Sequence, residues 1–514
     1  MPRPLPTWRR RRRRNSPPRP FRRWRARRRN ITRAPSRRNA RATGRRTATR
    51  SGNWATFLPG LTAPAARTDG PAAPGRSQVR KKTITRVVLA VVLCAAVAHC
   101  AGPAPEPVEP TPGLLAFTGA RLIDGAGSVV EDGVLVVSDG RIAAAGAAGA
   151  VEVPADAERI DLTGRTVIPG LINAHGHVNN VRGLEADPAF YTEAHVEDQL
   201  ARYARYGVTT VLSLGGGGPA GVAVRDRQDA GLDRARLYLS GPVVNPASVE
   251  EAFEQVNAVA DMGADIVKIR VDDNLGATQK MPPDVYKAVI EQAHARGLRV
   301  AAHLYYLDDA KGLLAAGADL VAHSVRDQPV DDELAAMLME QDVCYCPTLM
   351  REVSTFVYEE RPDWFDDPFF LREVDPAVVQ ALEAPEYQQR IRDSSSAQTY
   401  KVALEQAKVN LKALVDAGVR IAMGTDTGVA ARFQGYFEHG ELDLMVESGL
   451  SPMQTIVSAT GDAARCLQID GEVGTLAAGR WADFVVLGAN PLDDIRNTRS
   501  VESVWIAGNQ VPGV

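Results

Sequence analysis

The sequence predicts an α/β protein, a (β/α)8 TIM barrel with a small composite β-sandwich built from both ends of the mature chain. Residues 114–158 show short alternating strands separated by Asp-Gly turns, which is typical of a small antiparallel β unit. Eight apolar runs that alternate with amphipathic stretches follow, and residues 474–514 return to a β pattern. Alternation of this kind is typical of a barrel whose parallel strands are buried on both faces. Because neither β end could fold alone, we expect them to pack together as residues 114–168 plus 474–514, beside a barrel of residues 169–473.

The first 78 residues differ from the rest in composition. They contain 23 Arg and a single acid, Asp69, so they carry a charge of +22 in a chain whose net charge is −2. They have almost no apolar periodicity and cannot bury enough surface to fold, so we expect disorder. We interpret this leader as lying outside the translated protein, with translation beginning near Val79. The alternative is a basic arm that binds nucleic acid or another anionic surface.

Residues 79–100 have the pattern of a signal peptide. Four cationic residues precede an apolar run at 87–98, which is too short to span a bilayer. A small-residue cleavage site follows at Ala96-Val97-Ala98, Cys100 is a candidate lipid anchor, and residues 101–113 form a linker. We therefore expect export to the periplasm, secretion or envelope tethering in a bacterium. Residues 99–514 carry a charge of −28, which disfavours nucleic acid as a partner of the mature protein and leaves a homo-oligomer open.

Cysteine usage and one long insertion give two weaker expectations. Cys344 and Cys346 share one face of a predicted strand, and we expect them to be buried as small hydrophobic residues, with no disulfide framework. A Cys-x-Cys metal site is the alternative.

The insertion at residues 350–417 is rich in aromatic residues and leaves the catalytic face of the barrel. It predicts a substrate lid, or else packing beneath an inserted helical pair.

Titratable residues collect at the predicted carboxyl ends of the barrel strands. His175 and His177 end the first barrel strand. Because they are two residues apart, both can face the same side and chelate one metal. Four more such residues occupy equivalent strand ends: Lys268, His303, His323 and Asp426. Three further residues near this rim are candidate substrate contacts: His439, Arg326 and Tyr305.

Lys268 lies among Ile266, Val267 and Ile269 on a buried strand, where a cation is costly. A neutral amine near metals can react with carbon dioxide to form a carbamate, an anion whose two oxygens can bridge two cations. A structural ion pair with a nearby acid is the alternative.

These motifs resemble those of the amidohydrolase superfamily over about residues 114–514. Residues 167–177 resemble its first-strand motif, Gly424-Thr425-Asp426-Thr427 its eighth-strand motif, and residues 474–487 its carboxyl-terminal β signature. Lys268 together with Ala322-His323-Ser324 resembles the imidazolonepropionase-like, prolidase-related binuclear branch. Imidazolonepropionases lack the bridging lysine, so its presence here counts against that activity.

The resemblance implies a site with two divalent metal ions. His175, His177 and Asp426 would bind one ion, His303 and His323 the second, and carbamylated Lys268 would bridge both. Nitrogen and oxygen ligands without thiolate suit Zn²⁺, with manganese or iron as alternatives. Asp426 would be the catalytic residue that moves the proton from the attacking hydroxide to the leaving nitrogen.

The sequence thus predicts a metal-dependent amidohydrolase that cleaves the carbon–nitrogen bond of a dipeptide-like or N-acyl amino acid substrate by a hydroxide held between the metals. A Xaa-Pro-type dipeptidase is the leading form of this prediction. The alternative is a hydrolase of cyclic amides or lactones. A hypothesis of another class is a catalytically inactive, metal-stabilised binding protein.

Overall fold

The computed structural model describes residues 113–514. The predicted leader, the signal peptide, Cys100 and the linker before residue 113 lie outside the described residues. Within them, no helix is both long enough and apolar enough to cross a membrane.

Five strands open the described chain: β1 (Leu115–Ile123), β2 (Val129–Ser138), β3 (Arg141–Ala147), β4 (Glu158–Asp161) and β5 (Thr166–Pro169). Asp139 and Gly140, at φ 52° and 74°, form the two-residue turn between β2 and β3. Positive φ at both central residues is the geometry that matches the twist of a hairpin, and it explains the Asp-Gly signal.

The next nine strands are β6 (Leu171–Gly176), β7 (Val181–Arg182), β8 (Glu185–Ala186), β9 (Val208–Ser213), β10 (Arg236–Leu239), β11 (Ile266–Arg270), β12 (Arg299–His303), β13 (Leu320–Ala322) and β14 (Cys344–Cys346). β7 and β8 form a separate small hairpin. The others are buried almost throughout, as expected for parallel strands covered on both faces.

Helices lie between and after these strands. They are α1 (Glu193–Arg205), α2 (Pro219–Arg225), α3 (Val249–Met262), α4 (Pro283–Ala295), α5 (Leu307–Ala316), α6 (Asp332–Glu340), α7 (Leu349–Phe356), α8 (Pro368–Leu371), α9 (Pro376–Glu383), α10 (Pro385–Arg392), α11 (Ser395–Asp416), α12 (Tyr436–Glu447), α13 (Pro452–Ser458) and α14 (Gly461–Leu467). The ends of α3 follow from its sequence. The Ser248 side chain accepts a hydrogen bond from the backbone N of Glu251, and Gly263 ends the helix at a left-handed φ of 88°.

The parallel strands follow one another in a TIM-barrel-like α/β order. β6, β9 and β10 pair in parallel, and so do β11, β12, β13 and β14 in sequence. Isolated parallel bridges join Val244 to Ile269 and Tyr345 to Ile421, and the backbone N of Ala174 donates to the carbonyl of Met423 at 2.8 Å. The expected eighth strand at 419–423 therefore makes isolated contacts with both neighbours and is not a regular strand.

The strands β15 (Phe484–Leu487), β16 (Val501–Ile506) and β17 (Asn509–Gln510) end the chain. They share one eight-stranded sheet with the first five strands, in the order β17-β16-β15-β5-β1-β2-β3, with β4 beside β1. Phe117 on β1 packs edge-on against Phe484 and Trp505, with ring centroids 5.0 and 4.9 Å away. The two ends expected to pack as a sandwich thus form one continuous sheet in the described residues.

The cysteine expectation was wrong in one respect. Cys344 on β14 forms a disulfide with Cys466 on α14, across 122 residues of sequence, while Cys346 is buried and free. Spacing alone could not reveal this pair, because α14 and β14 are distant in sequence and meet only in the folded chain.

The insertion after β14 contains α7 to α11. Its aromatic residues Tyr358, Phe365 and Phe370 are buried with Tyr206 and Phe437 in one apolar cluster. This arrangement favours the packing interpretation over a mobile lid.

Candidate metal centre

Two histidines at the end of β6 face one carboxylate. The Nε2 atoms of His175 and His177 lie 3.2 and 2.7 Å from Oδ1 of Asp426, and all three residues are buried. Asp426 has a left-handed φ of 61°, and its backbone N donates to the carbonyl of His175. Alternation along β6 therefore places both imidazoles on the same side, as expected.

Lys268 on β11 reaches the same cluster. Its Nζ lies 3.4 Å from Nε2 of His175, and its side chain is buried. Burial lowers the pKa of the amine to about 8, because a cation is poorly solvated there. The neutral fraction of this amine is therefore larger than that of an exposed lysine.

His323 and His303 complete the cluster. The His323 ring lies 4.5 Å from that of His175 and 4.2 Å from that of His303, between centroids. One potential ligand atom from each of His175, His323 and Asp426 falls within 4.8 Å of the other two. The structure thus brings together all six residues that the strand ends predicted.

Three of the imidazoles make an outer contact through one ring nitrogen, so the other ring nitrogen can serve as a ligand atom. Nδ1 of His177 contacts the Gly215 carbonyl at 3.2 Å, Nδ1 of His323 contacts Oγ1 of Thr348 at 2.7 Å, and Nε2 of His303 contacts Oδ2 of Asp272 at 3.0 Å. Outer contacts of this kind fix the orientation of metal-binding histidines in proteins.

The protonation state of the cluster suits a divalent metal. Burial lowers the pKa of both His175 and His303 to about 3, so these rings are neutral and can donate a lone pair. Burial raises the pKa of Asp426, but Arg432 and the two neighbouring histidines together lower it well below its usual range. Nδ1 of His175 is buried without a hydrogen-bond partner. Neutral imidazoles around an ionised carboxylate fit a zinc-like ion.

Sequence reasoning missed two side chains that support the cluster. Asp272 lies beyond β11, four residues after Lys268, and its carboxylate holds His303. Arg432 donates through Nη1 to Oδ2 of Asp426 and through Nε to Oγ of Ser354, the latter at 2.8 Å. The position of Asp272 at a strand end was a usable signal, whereas Arg432 lies in a loop whose path the sequence does not give.

The candidate substrate contacts have different surroundings. Arg326 is buried, its Nε lies 3.0 Å from Oε1 of Glu352, and its guanidinium lies 4.6 Å from the ring centroid of Tyr305. Both ring nitrogens of His439 have partners outside the cluster: Nδ1 contacts Oγ1 of Thr498 at 2.9 Å, and Nε2 contacts the Tyr206 carbonyl at 2.8 Å. The structure therefore gives His439 a packing role at its position on α12.

Comparisons with known proteins agree with this geometry. The model of the Amidohydrolase family matches residues 166–511. An uncharacterised protein of Mycobacterium tuberculosis is 27% identical over 359 residues, which cover 65% of this chain and 80% of that protein. Imidazolonepropionase of Mycolicibacterium smegmatis is 24% identical over 389 residues, covering 70% of this chain and 85% of the relative.

Solved structures share the fold. A protein from Bifidobacterium longum assigned as a prolidase superposes with a TM-score of 0.63 at 28% identity, covering 78% of this chain and 95% of that one. A Xaa-Pro dipeptidase with bound methionine superposes with a TM-score of 0.62 at 22% identity, covering 77% and 99%. The family match spans most of the described residues and includes all six residues of the cluster, so the chain belongs to the amidohydrolase family of hydrolases that act on carbon–nitrogen bonds.

Proposed function

We propose that this protein hydrolyses the amide bond of a dipeptide-like or N-acyl amino acid substrate. The reaction would use two divalent metal ions, for which Zn²⁺ is the leading candidate. The observation that carries the proposal is the convergence of four histidines, Lys268 and Asp426 at one end of the barrel strands. His175, His177 and Asp426 would hold one ion and His303 and His323 the other. Lys268, as a carbamate, would bridge them.

The carbamate would form from the Lys268 amine and carbon dioxide, with no other reactant. The lone pair of the neutral Nζ of Lys268 attacks the carbon of carbon dioxide, an N–C bond forms as one C=O π bond opens onto its oxygen, and one N–H proton leaves to solvent. The product is an anion, whose burial beside His175 would be offset by the charge of the divalent ions.

The bound metals would supply Lewis acidity and lower the pKa of a water. Asp426 would accept the proton from that water and return it to the leaving nitrogen, acting first as a general base and then as a general acid. Arg432 donates to Oδ2 of Asp426, so Oδ1 stays on the side of the histidines.

Substrate recognition is proposed for Arg326 and Tyr305 together. The ring of Tyr305 covers the guanidinium, and Nη2 of Arg326 is buried without a hydrogen-bond partner, while Nε lies 3.0 Å from Glu352. His439 is not part of this proposal, because both of its ring nitrogens are bonded elsewhere.

A dipeptidase of the Xaa-Pro type is the leading form of the proposal, supported by the likeness to the Bifidobacterium longum protein. The second candidate is a hydrolase of cyclic amides or lactones, supported by the likeness to imidazolonepropionase over 85% of that relative. Export remains our proposal for location. It gains support from the Cys344–Cys466 disulfide, since such bonds persist in oxidising compartments.

The test is a hydrolysis screen of the zinc-loaded protein against dipeptides, N-acyl amino acids, hydantoins and lactones. We expect turnover of an open-chain amide, and a loss of about a hundredfold or more in Asp426→Asn. Glu405→Gln, at an exposed position of α11, is the control and should retain full activity. Zinc binding without turnover of any class would instead indicate a metal-stabilised binding protein.

A further inference from the structure

A buried carboxylate on α12 is bonded to residues that neighbour His175 and Asp426 in sequence. Oε1 of Glu438 accepts hydrogen bonds from Nδ2 of Asn173 at 2.5 Å, Oγ1 of Thr425 at 2.8 Å and Oγ1 of Thr427 at 2.6 Å. Glu438 is fully buried. The partners in these three bonds are not themselves proposed metal ligands. Three donors therefore meet at one oxygen atom.

All three donors belong to the two segments that carry metal-binding residues. Asn173 precedes His175 by two residues, and its Oδ1 accepts from the backbone N of His175 at 2.9 Å. Thr425 and Thr427 flank Asp426 on either side. A single carboxylate oxygen thus ties the end of β6 to both sides of Asp426.

The segment held in this way has an unusual backbone. Asp426 has a φ of 61°, which a residue with a Cβ adopts uncommonly and keeps only where its surroundings impose it. The hydroxyl of Tyr203 on α1 lies 2.8 Å from Oγ1 of Thr427 and extends the network to a second helix. The backbone of Asp426 is therefore constrained by side chains from β6, α1 and α12.

Packing alone does not account for a carboxylate at this position. Among the described residues, Glu438 forms no ion pair, and its Oε2 is buried without a hydrogen-bond partner. An apolar residue would avoid the cost of burying this group without a counterion. Its hydrogen bonds to other side chains all lead to the ends of the metal-binding segments, beside interactions with the backbone of Gly435 and Glu438 in the first turn of α12.

We propose that Glu438 is a positioning residue that fixes the separation of His175 and Asp426 and so preorganises the metal centre. This inference rests on the proposed metal-dependent function. Outer groups that orient metal ligands typically change metal affinity or activity about 10- to 100-fold when removed.

The experiment measures the affinity for zinc alone, by competition with a chromogenic chelator, after metal has been removed from the protein. Glu438→Leu should bind the tighter zinc ion at least about tenfold more weakly than the original protein. Glu438→Gln keeps an oxygen that can accept the same three hydrogen bonds, so it should restore most of that affinity. In hydrolysis, Glu438→Leu should lower kcat with little change in KM.

Two further variants separate positioning from general loss of stability. Asp265→Leu removes a carboxylate that accepts from Arg225 and from the backbone of Leu239 at the opposite end of β11, so it should lower thermal stability without changing zinc affinity. Thr427→Val removes one of the three donors with little change of shape, and it should weaken zinc binding even if Glu438→Leu does not fold. Unchanged zinc affinity in Thr427→Val and in folded Glu438→Leu overturns the positioning role while leaving the proposed function standing. Absence of zinc binding in the original protein overturns both.

Discussion

Arg432 donates to Oδ2 of Asp426, while Oδ1 of the same carboxylate faces Nε2 of His177 at 2.7 Å. The two oxygens therefore have separate partners, one cationic and fixed, the other in the histidine cluster. This division gives Asp426 a defined orientation and keeps it ionised.

Replacing Arg432 by Met should misorient this carboxylate. We expect kcat to fall about 10- to 100-fold, as is typical for the loss of a group that orients a metal ligand. The matched control is Arg392→Met, at an exposed position on α10, which should keep normal kinetics. The measurement is the steady-state kcat of both variants and of the original protein. An unchanged kcat in Arg432→Met would show that Arg432 is not needed to hold Asp426.

Replacing Asp272 by Asn should weaken the binding of one metal ion. Burial raises the pKa of the Asp272 carboxyl, but His303 and Arg270 together lower it well below its usual range, so the carboxylate is an ionised acceptor for the His303 ring. Its loss should reduce affinity for the ion at His303 by about 10- to 100-fold. Metal analysis after dialysis against a weak chelator should then find close to one ion per chain. Full retention of two ions would contradict this role.

The disulfide between Cys344 and Cys466 should contribute to stability, because it closes a loop of 122 residues. Removal of a native disulfide typically costs about 2 to 4 kcal/mol. We expect Cys344→Ala/Cys466→Ala to unfold at lower urea concentration and to be insensitive to reductant, whereas the original protein loses stability when reduced. Identical urea midpoints with and without reductant in the original protein would rule out the bond in solution.

Glu441 should make stability depend on pH. Burial raises the pKa of its carboxyl to about 8 from an ordinary 4.5, although the backbone N atoms of Leu349 and Met350 both donate to it at 2.7 Å. The folded protein then binds more protons than the unfolded chain between these two values, so stability falls as pH rises from about 4.5 to 8. Glu441→Gln removes this dependence. Urea midpoints at pH 5.5, 7 and 8.5 test the sign, and parallel pH profiles for the two proteins would refute it.

The sequence was informative wherever a local pattern determines the position of a side chain. Strand alternation placed His175 and His177 on one side, and the strand ends brought Lys268, His303 and His323 to the same rim, as the structure has them. Glycine and aspartate turns likewise located the hairpin between β2 and β3.

What the sequence could not supply depends on contacts between distant segments. The Cys344–Cys466 bond and the approach of Arg432 to Asp426 both require the path of the chain after the barrel strands. The surroundings of His439 depend on such contacts too, since its partners Thr498 and Tyr206 come from the carboxyl-terminal segment and from the end of α1. A histidine close in sequence to the rim does not thereby direct its ring nitrogens toward the cluster.

The central claim is a binuclear site bridged by a carbamate on Lys268, and the most direct test is the metal content and hydrolytic rate of Lys268→Ala beside the original protein. We expect about two ions per chain in the original protein, and about one ion with loss of most activity in the variant. Two bound ions and an undiminished rate in Lys268→Ala would contradict the binuclear carbamate mechanism.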